Sequence, residues 1–257
     1  MNATTARPST RRRKRRAPGW VPNQHGAWAM LTAPLLVGAL AAGPRWTHLL
    51  LGAFWFAGYF AFFATSLWLK ARRRPRYLPP VRAYVLTATA LGLLLAALEP
   101  GLLRWTPAFV LPLGIGLASS ATRHERSLVS GLATTIGSCL MALVAYDLGD
   151  GQDWPRAIAL TAVLAGYFAG TVFYVKSAIR ERGNHTFLTV SVLVHLAMAL
   201  LVWWLLPSPA GPALAVVGLV LAVRAAVVPP LGWSPARLGF GEIASTVVVA
   251  VVALLTI

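Results

Sequence analysis

Pro22-Asn23-Gln24-His25-Gly26-Ala27-Trp28-Ala29-Met30 is where a polybasic tail ends and the first long apolar segment begins. Behind it, residues 1–19 hold Arg7, Arg11, Arg12, Arg13, Lys14, Arg15 and Arg16 with no acid. A run of like charge with almost no apolar content reads as a disordered arm, here a basic cytoplasmic tail. Ahead of the junction, apolar runs recur to the C-terminus. They approach the ~20 residues that cross a ~30 Å hydrocarbon core. Residues 20–257 therefore read as a single transmembrane helical domain, a multi-pass protein of the cell membrane. A twin-arginine or Sec signal cut near Ala39-Leu40-Ala41 is the weaker reading, because further spans follow and the cut would remove the polar junction.

The composition agrees. Of 257 residues, 57% are hydrophobic and 12% charged, against about 25% charged in a soluble domain. The net charge of +16 would point to nucleic acid in a soluble protein. In a membrane protein, cations mark the cytoplasmic side. The expected partners are thus membrane lipids, and no nucleic acid. Cys139, the single cysteine, lies in an apolar run and reads as a small buried hydrophobe.

Punctuation by Gly, Pro and charge predicts an all-α membrane protein of about nine transmembrane helices. The spans fall near 27–43, 46–69, 83–98, 103–120, 127–148, 155–175, 186–206, 212–228 and 240–257. Pro107 and Pro112 make the fourth the weakest, since each removes a helical hydrogen bond. With the N-terminus inside, the inward segments are the tail and the loops near 70–82, 121–127, 176–185 and 224–242. Twenty of the 23 Lys and Arg fall there. Only Arg45, Arg104 and Arg156 lie outward, together with Glu99, Asp147, Asp150 and Asp153. That asymmetry sets a cytoplasmic N-terminus and an outward C-terminus.

The outward loops read as turns. Asp147, Asp150 and Asp153 resemble half of a calcium loop but lack its closing Glu. The inward face holds the polar clusters: Asn23-Gln24-His25, Lys70 to Pro80 with Arg73, Thr122 to Ser127, and Tyr174 to His185. On a helix continuing past Tyr174, Lys176, Arg180 and Asn184 share one face and Tyr174, Ser177 and Glu181 another. One stripe offers cations and an amide to an anion; the other offers two hydroxyls and a carboxylate. Glu125 and Glu181 are two of three inward acids, the third being Glu242. They are expected to pair with neighbours such as Arg126 and Arg180, or to act as acid/base groups. No His or Cys spacing supports a metal site, so neither a metal nor a cofactor is expected. His195, near the middle of span seven, is the intramembrane ionisable candidate, with Tyr167 and Ser191 as expected partners.

The run Pro-Asn-Gln-His-Gly-Ala-Trp-Ala-Met-Leu at 22–31 resembles the signature of the YwiC-like family of bacterial membrane proteins. Arg-His-Glu-Arg-Ser at 123–127 and Phe-Tyr-Val-Lys-Ser-Ala-Ile-Arg-Glu-Arg-Gly-Asn at 173–184 also look like that family, and the likeness covers nearly the whole chain after residue 20. It implies a membrane protein and carries no activity with it. A weaker likeness is to the UbiA prenyltransferases, which imply nine helices with polar motifs on the loops after helices two and six. Arg73-Arg74-Pro75-Arg76-Tyr77-Leu78-Pro79 and Tyr174 to Asn184 occupy those places. The Asp-rich motifs that hold Mg²⁺ in that family are missing, so a UbiA-like bundle is expected without the Mg²⁺-diphosphate site.

The leading functional reading is a cation-rich, cytoplasm-facing pocket for an anionic or amphipathic small molecule, such as a lipid-linked one. Its ligand-binding candidates are Asn23, Gln24, His25, Arg73, Arg126, Tyr174, Lys176, Ser177, Arg180 and Asn184, with Glu125 and Glu181 as the acid/base pair. A transporter is the first alternative, and a membrane scaffold without a ligand is the second.

Overall fold

The computed structural model describes residues 19–22 and 26–257. Asn23, Gln24, His25 and the basic tail up to residue 18 lie outside the described residues. Among the described residues there are nine α-helices and no strand: α1 (Ala27–Ala42), α2 (Thr47–Lys70), α3 (Leu78–Leu98), α4 (Thr106–Ala121), α5 (Leu128–Leu148), α6 (Trp154–Ile179), α7 (His185–Leu205), α8 (Ala210–Val227) and α9 (Pro235–Thr256). Eight helical stretches are long and apolar enough to cross a membrane; α1, with 16 residues, is shorter. The protein is an all-α, multi-pass membrane protein.

The helix ends follow local chemistry. Ser127, Asp153, Asn184 and Ser234 accept backbone N–H bonds as the N-caps of α5, α6, α7 and α9. An N-cap oxygen satisfies a donor that the helix itself leaves open. Pro79-Pro80 and Pro235 stand in first turns, where a missing N–H costs no hydrogen bond. That is why α3 and α9 begin about five residues before the expected spans. The fourth span is not interrupted. Pro107 sits in its first turn and Pro112 inside an unbroken α4. A Cβ on Gly137 of α5 would meet the Pro112 ring at 2.9 Å, so α5 packs directly against the proline.

The packing has a centre and two flanks. Helix α1 is held by α5, α9, α6 and α2. On one flank α2, α3 and α4 pack together and close onto α5; on the other α6, α7, α8 and α9 form a connected group. The tightest helix crossing joins α1 to α5. A Cβ on Gly38 would lie 2.1 Å from the carbonyl oxygen of Ala142, which no side chain tolerates. Small residues let helix backbones approach where lipid supplies no hydrophobic drive. Val37 and Cys139 are buried on either side of this crossing.

Loops alternate between two ends. One end carries Lys70, Arg72 to Arg76, Arg123, Arg126 and Lys176 to Arg182. The other carries the acids. There Arg45 pairs with Asp150 at 2.8 Å and lies 3.8 Å from Glu99. Asp147 pairs with Arg104 and accepts from Trp105 Nε1 at 2.8 Å. Asp153 caps α6 through Arg156 N at 3.0 Å. The carboxylates of this end therefore tie loops together as ordinary turn residues.

Replacing Gly38 by Leu forces a side chain into the Ala142 backbone. Overpacking a tight core costs about 1–3 kcal/mol, and more against backbone. The expected result is loss of the monodisperse peak on size-exclusion chromatography, or a clearly lowered thermal midpoint. Gly58→Leu on α2 is the control, because a Cβ there meets nothing within 4 Å.

Candidate functional site

The polar clusters of the basic end join side by side. Lys70, at the end of α2, pairs with Glu125 in the loop before α5. Arg180, at the end of α6, donates from Nη1 to the Arg126 carbonyl at 3.3 Å. The loop at 122–127 thus links α2 to α6. Glu125 takes Lys70 as its partner, where the sequence suggested Arg126. Partial burial pushes its carboxyl upward, yet the Lys70 hydrogen bond and the Lys70 and Arg126 charges outweigh this and leave it below the usual value. Burial first, and then the neighbouring Arg126 charge, draw the Arg180 guanidinium below its ordinary value. Two guanidinium-bearing residues held side by side favour an anion between them.

Glu181 accepts from Asn184 Nδ2 at 3.0 Å in place of the expected Arg180. Asn184 serves mainly as the N-cap of α7, accepting from Phe187 N at 3.0 Å. Lys176 lies over the Phe187 ring, 5.3 Å from its centroid. Arg73 lies over Trp68 at 5.8 Å, on the exposed rim. Tyr174 and Ser177 are each only 2% exposed and face inward. Ser177 donates to the Tyr174 carbonyl at 2.8 Å. The candidates from 174–185 thus divide between a rim and an interior. Together, Ser177, Glu181, Asn184, His185, Leu188, Pro229 and Pro230 line a small cavity of about 90 Å³.

The large cavity is elsewhere and is apolar. A groove of about 590 Å³ runs between α1, α2, α3, α4 and α5. Its wall includes Gly26 and Ala27 near the basic end and Leu102 and Trp105 near the acidic end, so it follows most of the membrane depth. Phe54, Trp55, Tyr59, Phe62 and Phe109 supply aromatic surface, and Gly58, Gly92 and Gly137 keep the floor low. Thr134 and Ser138 are the hydroxyls on the α5 wall. About two turns of α5 separate Thr134 from the Arg126 loop, and Lys70 lies ~12 Å beyond Phe62 along α2. The basic cluster therefore stands above the inner end of the groove.

A third polar feature escaped the sequence reading. Glu242 in α9 is 4% exposed. Its Oε2 accepts from Thr171 Oγ1 at 2.8 Å and from Tyr167 OH at 3.1 Å. Its Oε1 lies 2.8 Å from Arg224 Nη1 in an ion pair without hydrogen-bond alignment. Arg224 Nη1 donates to Ser245 Oγ at 2.7 Å, and the guanidinium sits 4.3 Å above the Tyr174 ring. Loop membership in 224–242 had been expected for both charges; α8 and α9 carry them instead. The signal was available, because the expected spans already reached 228 and began at 240. Of the partners expected for His195, Ser191 is found: its carbonyl lies 2.7 Å from His195 Nδ1. Tyr167 is turned to Glu242 and Thr246 instead. Among the described residues no three His, Cys, Asp or Glu side chains converge as a metal site.

A family model described as YwiC-like protein matches residues 21–146, which span α1 to nearly the end of α5 and hence the groove. A Bacillus subtilis (strain 168) relative, described as uncharacterized protein YwiC, is 33% identical over 184 residues, covering 70% of this chain and 76% of the relative. An uncharacterized protein of Haemophilus influenzae is 27% identical over 181 residues, with the same coverage of 70% and 76%. No solved structure matches.

Removing one member of a buried ion pair strands the other, at about 3–5 kcal/mol. Arg224→Leu and Glu242→Leu alone are each expected to lower the thermal midpoint strongly. The double variant, which strands no charge, is expected to recover most of the loss. Thermal unfolding of all four proteins in one detergent forms the cycle that checks this.

Proposed function

The chain belongs to the YwiC-like family, and from that premise we propose that it binds a long-chain amphiphile with an anionic headgroup. The apolar groove between α1 and α5 takes the tail. Lys70, Arg126 and Arg180 at the basic end take the headgroup. The observation that carries this reading is the groove: an apolar trough of about 590 Å³ that follows the membrane depth and ends towards the Arg126–Arg180 cluster. A pocket lined mainly by apolar and aromatic side chains, with few polar groups at one end, is the general form of a small-molecule site. Lipid-like tails match its chemistry; a freely soluble anion would leave most of its wall without a partner.

The candidate residues then divide between the headgroup site and other places. Arg126 and Arg180 bind the headgroup, and Glu125 holds Lys70 and the 122–127 loop in place. Asn23, Gln24 and His25 immediately precede Gly26 in sequence and lie outside the described residues, so they are given no part here. Lys176 and Arg73 add to the local positive potential from the rim. Tyr174, Ser177 and Glu181 are not assigned to the headgroup, because they face the other flank. Under the positive-inside reading the basic end is cytoplasmic and the membrane is the cell membrane.

The test uses a fluorescent long-chain alkyl phosphate and full-length protein in nanodiscs of uncharged lipid. Gly58→Leu projects a side chain into the groove from a position where an added Cβ meets nothing within 4 Å. It is expected to weaken binding at least tenfold while leaving the thermal midpoint unchanged or slightly raised, since Gly is costly inside a helix. Arg126→Ala and Arg180→Ala are each expected to weaken binding about fivefold, in keeping with ~1 kcal/mol per cation near the surface. Their effect should shrink as salt rises. Wild-type affinity in Gly58→Leu overturns the proposal.

Glu125 adds a pH prediction. Its lowered folded-state value means that its stabilisation is complete above the ordinary carboxylate range and is lost as pH falls through the lowered value. Thermal midpoints of wild type and Glu125→Gln should therefore converge on acidification and diverge toward neutrality.

A further inference from the structure

We propose that α6, α7 and α8 enclose a hydrated half-channel that leads from the basic end to His195 and delivers a proton to its Nε2. This feature lies on the opposite flank from the amphiphile groove and does not depend on it.

The tautomer of His195 is set by its neighbour. Nδ1 lies 2.7 Å from the Ser191 carbonyl, which only accepts, so in the neutral ring Nδ1 carries the hydrogen. Nε2 is then a lone-pair acceptor. It is buried and has no hydrogen-bond partner. The ring lies against the backbone of α6, for a Cβ on Gly170 would stand 3.1 Å from Nε2. Three further buried polar atoms nearby also lack partners: Ser191 Oγ, Arg224 Nε and Arg224 Nη2.

Helix register places these atoms in one layer. On α8, Gly218 abuts Ala199 of α7, where an added Cβ would lie 2.8 Å from the Ala199 Cβ. The helices are antiparallel. Six residues from Gly218 to Arg224 therefore correspond to six residues back from Ala199, reaching position 193 between Ser191 and His195. The contact of Gly170 with His195 sets Tyr174 level with Ser191 by the same count, and the Arg224 guanidinium does lie on the Tyr174 ring. An unpartnered acceptor, a hydroxyl and two unpartnered guanidinium donors thus lie at one level, within about a turn of α7. Unsatisfied polar groups in hydrocarbon each cost several kcal/mol. A water needs two to four such partners to be held, and this layer offers them.

An entrance lies directly above. The cavity of about 90 Å³ is walled by Ser177, Glu181, Asn184, Leu188 and Pro229, among others. Ser177 is one turn from Tyr174, Leu188 is one turn before Ser191, and Pro229 follows Arg224 closely along the chain. The path runs from Glu181 and Asn184 at the rim, past Ser177 and Leu188, to Ser191 and Arg224, and ends at His195. On protonation, a hydronium ion in the path gives its hydrogen to the Nε2 lone pair; its O–H bond breaks, a neutral water is left and the imidazole becomes imidazolium, with no bond broken in the protein. The charged and titratable groups around it are Tyr167 and Tyr174 on α6, His185 on α7, Arg224 on α8 and Glu242 on α9. Glu242 pairs with Arg224 at 2.8 Å and so sets a carboxylate against that cation.

The test uses full-length protein labelled with ¹⁵N-histidine in nanodiscs, with the His195 signals assigned by their loss in His195→Gln. The expected spectrum at pH 8 shows His195 neutral with hydrogen on Nδ1, and Nε2 in contact with water in a water-edited experiment. Acidification from pH 8 to pH 4 is expected to convert it to the doubly protonated form. Leu188→Trp, or the milder Leu188→Phe should the first not fold, is expected to block the path and slow proton exchange at Nε2 at least tenfold. Gly58→Leu is expected to change neither signal, which separates this proposal from that of the groove. A wild-type Nε2 without water contact and without protonation down to pH 4 overturns the proposal. Unchanged water contact and exchange in a folded Leu188 plug variant overturns it as well.

Discussion

Inside the hydrocarbon there is no water to complete a hydrogen bond, and that constraint organises the whole molecule. It makes the backbone helical throughout the spans and confines prolines to first turns or to places such as Pro112, against which a neighbouring helix packs closely. It also explains the arrangement around Glu242. A carboxylate placed within a span is held by Tyr167, Thr171 and Arg224, which come from two other helices. Those contacts bind α6, α8 and α9 together by chemistry that sideways sliding of any one helix would break. The α1–α5 crossing does the equivalent by shape, through Gly38 against Ala142.

These two devices give the flanks different characters. The α1–α5 flank is stabilised by close backbone approach and apolar contact, and it leaves a trough lined by rings and glycines. The α6–α9 flank is stabilised by buried polar groups, several of which remain without partners. Helices α1 and α5 separate the two. A tail-shaped guest suits the first, and water or a hydrogen ion suits the second. The basic end is common ground, because the 122–127 loop reaches α2 through Glu125–Lys70 and α6 through Arg126–Arg180.

Much of the fold was legible from the chain. Nine apolar runs and the uneven placement of cations gave the helices to within a few residues, because hydrophobic length and punctuation are local properties. The Asp147–Asp153 turn was also readable, since half a calcium loop without its last ligand is only a turn. Partner identity was not. Lys70 and Glu125 are 55 positions apart, and no spacing rule connects them. Glu242 was counted with a loop because its charge fitted the inward tally, although its position inside span nine was the warning. The groove could not be read at all. Its wall is the gap left by five helices, and a gap follows from crossing angles and from which glycines face it, neither of which is a property of one segment.

Helix α1 is short for a helix at the centre of a membrane bundle. Sixteen helical residues rise about 24 Å, against a hydrocarbon thickness of about 30 Å. The helices gripping it are longer: α5 has 21 residues and α6 has 26. Helix α1 is therefore shorter than the helices that hold it, by about 7 to 15 Å of rise. On the proposed reading, an amphiphile's headgroup rests beside this short helix while its tail is enclosed, so the charged part need not enter hydrocarbon.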